Sequence, residues 1–158
     1  MPLIEPGQTA PDFALPDQEG QSHRLADYAG RPVVLYFYPK DDTPGCTQEA
    51  CGFQAALPDF SQVTAAVLGI SILDSKSKAN FAGKYNLTFP LLADADHAVA
   101  ERYGAWQERS MYGRAYMGVA RITYLIGPDG RVARRWDSVK VDAHTAEVLA
   151  AAADLASA

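Results

Sequence analysis

The sequence predicts an α/β domain whose central sheet is mixed, parallel in part, with helices on both faces. Three observations point there. Two continuous apolar, β-favouring runs, VVLYFY at 33–38 and AAVLGISI at 65–72, have the composition of strands buried on both faces. A mostly helical stretch at 43–63 separates them, and strand, helix, strand of this length suits a crossover between parallel neighbours. Two later runs, ITYLI at 122–126 and VARRW at 132–136, are joined by Gly-Pro-Asp-Gly. Pro at the second turn position and Gly at the fourth fit a type I turn, so this pair is expected as an antiparallel hairpin.

The elements follow in order. PGQTAPDFALPDQEGQSHRLADYAG, at 6–30, alternates short extended pieces with Pro and Gly, and reads as a β-hairpin followed by a turn of helix at 25–28. The strand at 33–38, the helical stretch and the strand at 65–72 come next. Helices are expected at 75–85 and, shorter, at 96–103. After the second hairpin, the Ala-rich DAHTAEVLAAAADLA at 142–156 closes the chain as a helix. No repeat, low-complexity tract or linker interrupts the chain, so 1–158 reads as one domain. The arrangement is a thioredoxin-like architecture with an N-terminal β-hairpin extension.

Composition narrows the function. With 158 residues the chain can bury a real core. Hydrophobic residues make up 48% and charged residues 21%, as in soluble globular proteins. A net charge of -5 offers no basic face to nucleic acid or anionic lipid. No apolar run approaches the roughly 20 residues of a membrane span. The N-terminal MPLIEPGQTAPDF lacks a basic segment followed by an apolar one, so no signal peptide is expected and a cytoplasmic location is. Two cysteines are too few for a disulfide scaffold; a close pair in a reducing compartment points to transient redox chemistry.

The pair is Cys46 and Cys51, in TPGCTQEACGF. TPGC reads as a helix N-terminus, with Thr43 at the N-cap and Pro44 at the first helical position. Cys46 then takes the third position, where a capping box carries Glu or Gln. Free backbone N–H groups and the positive end of the helix dipole favour an anion there, hence a thiolate. A thiolate needs no separate base, which fits the lack of a histidine nearby in the sequence. A small buried core residue is the alternative for Cys46, and core filler or redox partner are both open for Cys51.

Pro39, Thr43 and Cys46 in PKDDTPGC match the Pro-x-x-x-Thr-x-x-Cys signature of the peroxiredoxins. The longer YFYPKDDTPGCTQEACGF resembles the Q-type, or bacterioferritin-comigratory, subfamily, and GQTAPDFALPDQEG, KYNLTFPLLAD and GVARITYLIGPDG extend the similarity along nearly the whole chain. The resemblance implies a thiol-dependent peroxidase for hydrogen peroxide and alkyl hydroperoxides. Cys46 would be the peroxidatic cysteine and Cys51 the resolving one, closing an intramolecular disulfide recycled by thioredoxin or a similar dithiol. Thr43 would hydrogen-bond the thiolate and the peroxide, and Pro39 would shield the pocket. Arg121 matches the family's active-site arginine and Glu49 the carboxylate that orients it; Gly45 lies in the same binding segment. No metal, haem or flavin is implied, and a monomer is expected. One departure stands out: Lys78 occupies a position where many relatives have histidine, in a segment expected to lie away from the signature.

Physical chemistry gives the arginine a task. Thiolate attack on O–O leaves an alkoxide or hydroxide, and a guanidinium supplies fixed donors for that charge. From the residues alone, Arg121 would read as a strand-edge surface charge and Glu49 as a solvated helix carboxylate. Tyr38 reads as core. Asp41 and Asp42 read as loop-solvating, and His23, His97 and His144 as surface. Two thiols at this spacing make a poor zinc site. The rival functions are a thioredoxin-like protein thiol–disulfide oxidoreductase, which the missing Cys-x-x-Cys disfavours, and a non-enzymatic chaperone or peroxide-sensing relay.

Overall fold

The computed structural model describes residues 2–157. Strands β1 (Ala14–Pro16) and β2 (Ser22–Arg24) form the opening hairpin, followed by a 3-10 turn at Leu25–Tyr28. Then come β3 (Val33–Phe37), α1 (Pro44–Ala55), α2 (Leu57–Gln62), β4 (Ala66–Ser71), α3 (Ser75–Tyr85), β5 (Leu91–Ala93) and α4 (Ala98–Arg102). The chain finishes with β6 (Trp106–Met111), β7 (Arg114–Val119), β8 (Ile122–Ile126), β9 (Val132–Trp136) and α5 (Val141–Ser157).

Five strands make the central sheet in the order β5-β4-β3-β8-β9. β3 pairs parallel with β4, β4 parallel with β5, and β8 antiparallel with both β3 and β9. The sheet is therefore mixed, as the sequence predicts. β3 lies at its centre with every residue buried. Its side chains alternate: Val33, Leu35 and Phe37 enter one core, Val34 and Tyr36 the other. A strand with an apolar layer on each side needs apolar residues throughout, which is why VVLYF is continuous rather than alternating.

The two layers differ. Phe53 of α1, Phe60 of α2, Phe81 of α3 and Val148 of α5 pack on one face. The other is covered by Val99 and Ala100 of α4 with Phe13, Leu15 and Leu25 from the N-terminal segment. Among the described residues, no helix is long and apolar enough to cross a membrane.

Departures from the expected elements have local causes. The helical stretch divides at Ala56, because Pro58 in the first turn of α2 cannot continue the hydrogen bonding of α1. α5 is kinked at its start: Asp142 (ψ 131°) and Ala143 (φ 66°) are not helical, so the regular helix begins at His144 rather than at 142. β5 and the β6–β7 hairpin have no counterpart among the elements read from the sequence. β5 has three residues. β6–β7 lacks apolar alternation, and much of its surface is exposed. Its one signal is the turn, where Tyr112 (φ 51°) and Gly113 (φ 78°) both take left-handed backbone, the requirement of a two-residue hairpin turn. The Gly127–Gly130 turn closes as expected, Gly130 N donating to Gly127 O at 2.9 Å.

Candidate active site

β3 and β8 are neighbours in the sheet, with Phe37 opposite Ile122. The loop leaving β3 and the residue entering β8 therefore meet at one edge. That register brings Arg121 to the first turn of α1. Thr43 is the N-cap in extended conformation (φ -103°, ψ 155°), Pro44 opens the helix, and Cys46 follows at the third helical position. Cys46 is 1% exposed. Arg121 Nη2 donates to Cys46 Sγ at 3.4 Å, and Nη1 donates to Glu49 Oε1 at 2.6 Å.

Glu49 follows Cys46 by three residues, so both lie on one side of α1. It is 2% exposed, not a solvated carboxylate. Burial pushes its carboxyl up to about 7, against the pull of Arg121. Its second oxygen, Oε2, is buried without a hydrogen-bond partner. For Arg121, burial works against the charge, but Glu49 and Cys46 outweigh it and raise its pKa above the ordinary value. Gly45 makes the approach possible: a Cβ there would stand 3.1 Å from Arg121 Nη2.

Thr43 is placed differently from expectation. Its hydroxyl donates to Lys40 O at 3.0 Å, caps no helix N–H and makes no bond to Cys46. The extended N-cap turns the side chain back toward its own loop, and Sγ takes its hydrogen bond from Arg121 instead. Pro39 and Thr43 are half-buried in that loop. Cys51 is half-buried in the same helix, and both thiols are free.

The AhpC/TSA family pattern matches residues 6–135. The chain belongs to the AhpC/TSA family. It is 49% identical over 146 residues to a putative peroxiredoxin of Coxiella burnetii, covering 92% of this chain and 97% of that protein. It is 43% identical to a Bacillus subtilis peroxiredoxin, covering 96% and 97%. Peroxiredoxin Q of Xanthomonas campestris superposes with a TM-score of 0.89 at 40% identity over 97% of both chains. A structure of the X. campestris bacterioferritin comigratory protein, described for its alkyl peroxide reduction activity, gives 0.89 at 39% identity, covering 97% of this chain and 98% of that one. The fold is thus that of thioredoxin-like peroxiredoxins, and the activity is that of a thiol peroxidase acting on peroxides with a thiol reductant.

In this AhpC/TSA chain the loop before α1 is held from below. Asp41 is buried, not loop-solvating. It accepts from Tyr38 OH and from Ser77 Oγ at 2.7 Å, and both its oxygens lie 3.3 Å from Lys78 Nζ. Lys78 has 0% exposure and also donates to Ser71 Oγ. The segment expected to lie away from the signature is therefore in contact with it. The signal was helical spacing: Lys78 shares its face of α3 with the buried Phe81 and Ala82. Asp42 is exposed, in left-handed backbone (φ 58°), and tied to Lys84 Nζ at 2.9 Å and Tyr85 OH at 2.7 Å.

α1 is clasped by the kinked start of α5. Gln48 Nε2 donates to Asp142 Oδ1, and Gly52 lets α5 approach so closely that a Cβ would meet Thr145 Oγ1 at 2.6 Å. Behind this contact runs a chain of rings. Tyr36 stacks on Phe53 at 4.7 Å, Phe53 meets His144 edge-on at 6.0 Å, and His144 meets Trp136 at 5.8 Å. His144, expected on the surface, is 3% exposed and pairs through Nε2 with Thr123 Oγ1 at 2.8 Å. The backbone turn at Ala143 carries it over β8, and burial pushes its imidazole down to about 4.

Proposed function

We propose that the chain is an atypical two-cysteine peroxiredoxin that works as a single-domain monomer in the cytoplasm, with Cys46 as the peroxidatic and Cys51 as the resolving thiol. The observation that carries this reading is the Arg121 fork, one nitrogen on Cys46 Sγ and the other on Glu49. The Cys46 thiolate attacks the terminal oxygen of a hydroperoxide and the O–O bond breaks. Sulfur is oxidised to sulfenic acid, and the peroxide leaves as alcohol or water once protonated. Arg121 supplies donors both to the thiolate and to the negative charge that develops on the leaving oxygen. Glu49 fixes the guanidinium. Thr43, already donating to Lys40 O, keeps oxygen lone pairs to accept the peroxide O–H. Pro39 limits water in the pocket, and Gly45 leaves room for substrate beside Arg121. Alkyl hydroperoxides are within the substrate class, in line with the activity described for the X. campestris relative.

Cys51 then displaces hydroxide from Cys46–SOH, releasing water and forming a disulfide. Helical geometry puts the two Cα atoms about 8.6 Å apart, on different faces. A disulfide needs them within about 7 Å. α1 must unwind between the two steps. Thioredoxin, or a similar dithiol, restores both thiols by exchange, its own pair becoming the disulfide. A protein disulfide cannot reach Cys46 while α1 is intact, since the thiol is 1% exposed. That argues against the protein thiol–disulfide oxidoreductase.

The test is NADPH-coupled peroxide turnover with thioredoxin and its reductase. Cys46→Ser is expected to have none. Cys51→Ser is expected to react once and then stall, with dimedone labelling Cys46. Wild-type turnover by Cys46→Ser, or only a disulfide-linked dimer from Cys51→Ser, overturns the assignment.

A further inference from the structure

We propose that Lys78 is a positioning residue for the reaction at Cys46, holding the loop of Pro39 and Thr43 in place through the buried carboxylate of Asp41. The inference rests on the reading of Cys46 as the peroxidatic thiol and adds to it a residue 32 positions downstream.

A fully buried lysine is costly unless its charge and its three donors are satisfied. Here they are. Nζ reaches both Asp41 oxygens and Tyr38 OH at 3.3 Å, and donates to Ser71 Oγ. Asp41 is equally engaged, with Tyr38 and Ser77 donating to it besides Lys78. The cluster ties together β4 through Ser71, α3 through Ser77 and Lys78, and the loop through Asp41. Burial pushes the Lys78 ammonium toward losing its proton and Asp41 opposes it, so the two depend on each other for charge balance.

Asp41 stands two residues before Thr43 and five before Cys46. Its neighbour Asp42 holds a left-handed backbone and is gripped by Lys84 and Tyr85 from the end of the same α3. The loop's side-chain ties thus run to α3 and β4, while α1 is joined to it through the backbone, Thr47 N donating to Thr43 O at 2.8 Å. Such a clamp sets where α1 starts, and so where its first N–H groups and Cys46 point. It also lets α1 unwind without carrying Pro39 and Asp41 away. Removing Lys78 alone strands a buried carboxylate, and the loop must shift to bring it to water. Removing both charges takes away that drive.

The test separates the two chemical steps by rapid mixing with hydrogen peroxide, using Lys78→Met, Asp41→Asn and the double variant. Each single variant is expected to oxidise Cys46 about tenfold more slowly, the scale of a small misplacement. First-order disulfide closure is expected to stay within about twofold of wild type, because the clamp holds the loop and makes no side-chain contact with the body of α1. The double variant is expected to oxidise faster than either single one. A purely structural lysine would lower the melting temperature and leave the oxidation rate alone, and that result overturns the proposal. So does a double variant no faster than the single ones. If Lys78→Met does not fold, Asp41→Asn against the double variant gives the same comparison, with the same overturning result. Wild-type protein that fails to react with peroxide would instead overturn the assignment of Cys46, and the clamp with it.

Discussion

A single guanidinium touching both Sγ and a buried carboxylate cannot be replaced by a point charge. Arg121→Lys keeps the charge but loses the fork, because an ammonium on a flexible stem cannot hold both partners at once. Stopped-flow oxidation of Cys46 is expected to slow by about 100-fold, the cost of removing one preorganised donor; a rate within twofold of wild type would return Arg121 to the surface-charge reading. His144 gives a second prediction at this scale. Its folded value of about 4 lies below the ordinary 6.5. Its contribution to stability is therefore present above pH 6.5 and lost as pH falls toward 4. Glu49, raised to about 7, has the opposite sign: it favours the folded state at low pH and loses that contribution as pH rises from 4.5 through 7. The two overlap, so the measurement is the difference in unfolding free energy between wild type and His144→Gln. Wild type is expected to lose at most about 3 kcal/mol relative to the variant between those limits. A pH-independent difference would mean that folding does not lower the pKa of His144. Of the candidate site residues, the placement of Thr43 at the N-cap and Cys46 at the third helical position was legible from helix-start chemistry alone, but the turn of the Thr43 hydroxyl to Lys40 O was not. Arg121 was not: it lies 75 residues away and reached the site only through the β3–β8 register. Asp41 and His144 were misread because adjacent acids and a lone histidine default to the surface when partners are distant in sequence.

At the scale of elements, the proposed disulfide requires α1 to unwind. The helix is anchored toward its end along Phe53, Gln54 and the close approach at Gly52, while its first half is held by Gln48–Asp142 and by Arg121 on Cys46 and Glu49. Gly52→Ala should raise helix propensity by about 1 kcal/mol, but the new Cβ collides with Thr145. We expect Gly52→Ala alone to lower the melting temperature. Adding Thr145→Ala should relieve the contact and slow disulfide closure about fivefold, the kinetic equivalent of that propensity. Closure at the wild-type rate in the double variant would show that unwinding of α1 does not limit it. The long periodic elements were read to within a residue or two, as Ser75–Tyr85 and Ile122–Ile126 show. The β6–β7 hairpin escaped because its residues face solvent and leave no apolar period to read.

On the proposed mechanism, the molecule as a whole is expected to divide into a part that opens and a part that does not. Every residue of β3 and β8 is buried, flanked by an apolar layer on each side. Hydrogen exchange is expected to rise sharply over residues 43–56 on disulfide formation while these strands stay protected; equal protection in both redox forms would point to an intermolecular bond. Light scattering should give the mass of one 158-residue chain before and after oxidation. A redox-dependent doubling would sink the monomer reading. The sheet order was only partly open to sequence reading, since three-residue β5 gives the parallel half its outer edge. The ring chain from Phe53 through His144 to Trp136 adds a last consequence. Of the two tryptophans, Trp136 looks through His144 at α1, whereas Trp106 stacks on His97 at 4.0 Å and packs against the opposite core. The protein therefore carries its own dye and its own reference. Its ultraviolet emission should change as α1 opens, keep that change in Trp106→Phe, and lose it in Trp136→Phe, so that each turnover is visible as light without any label.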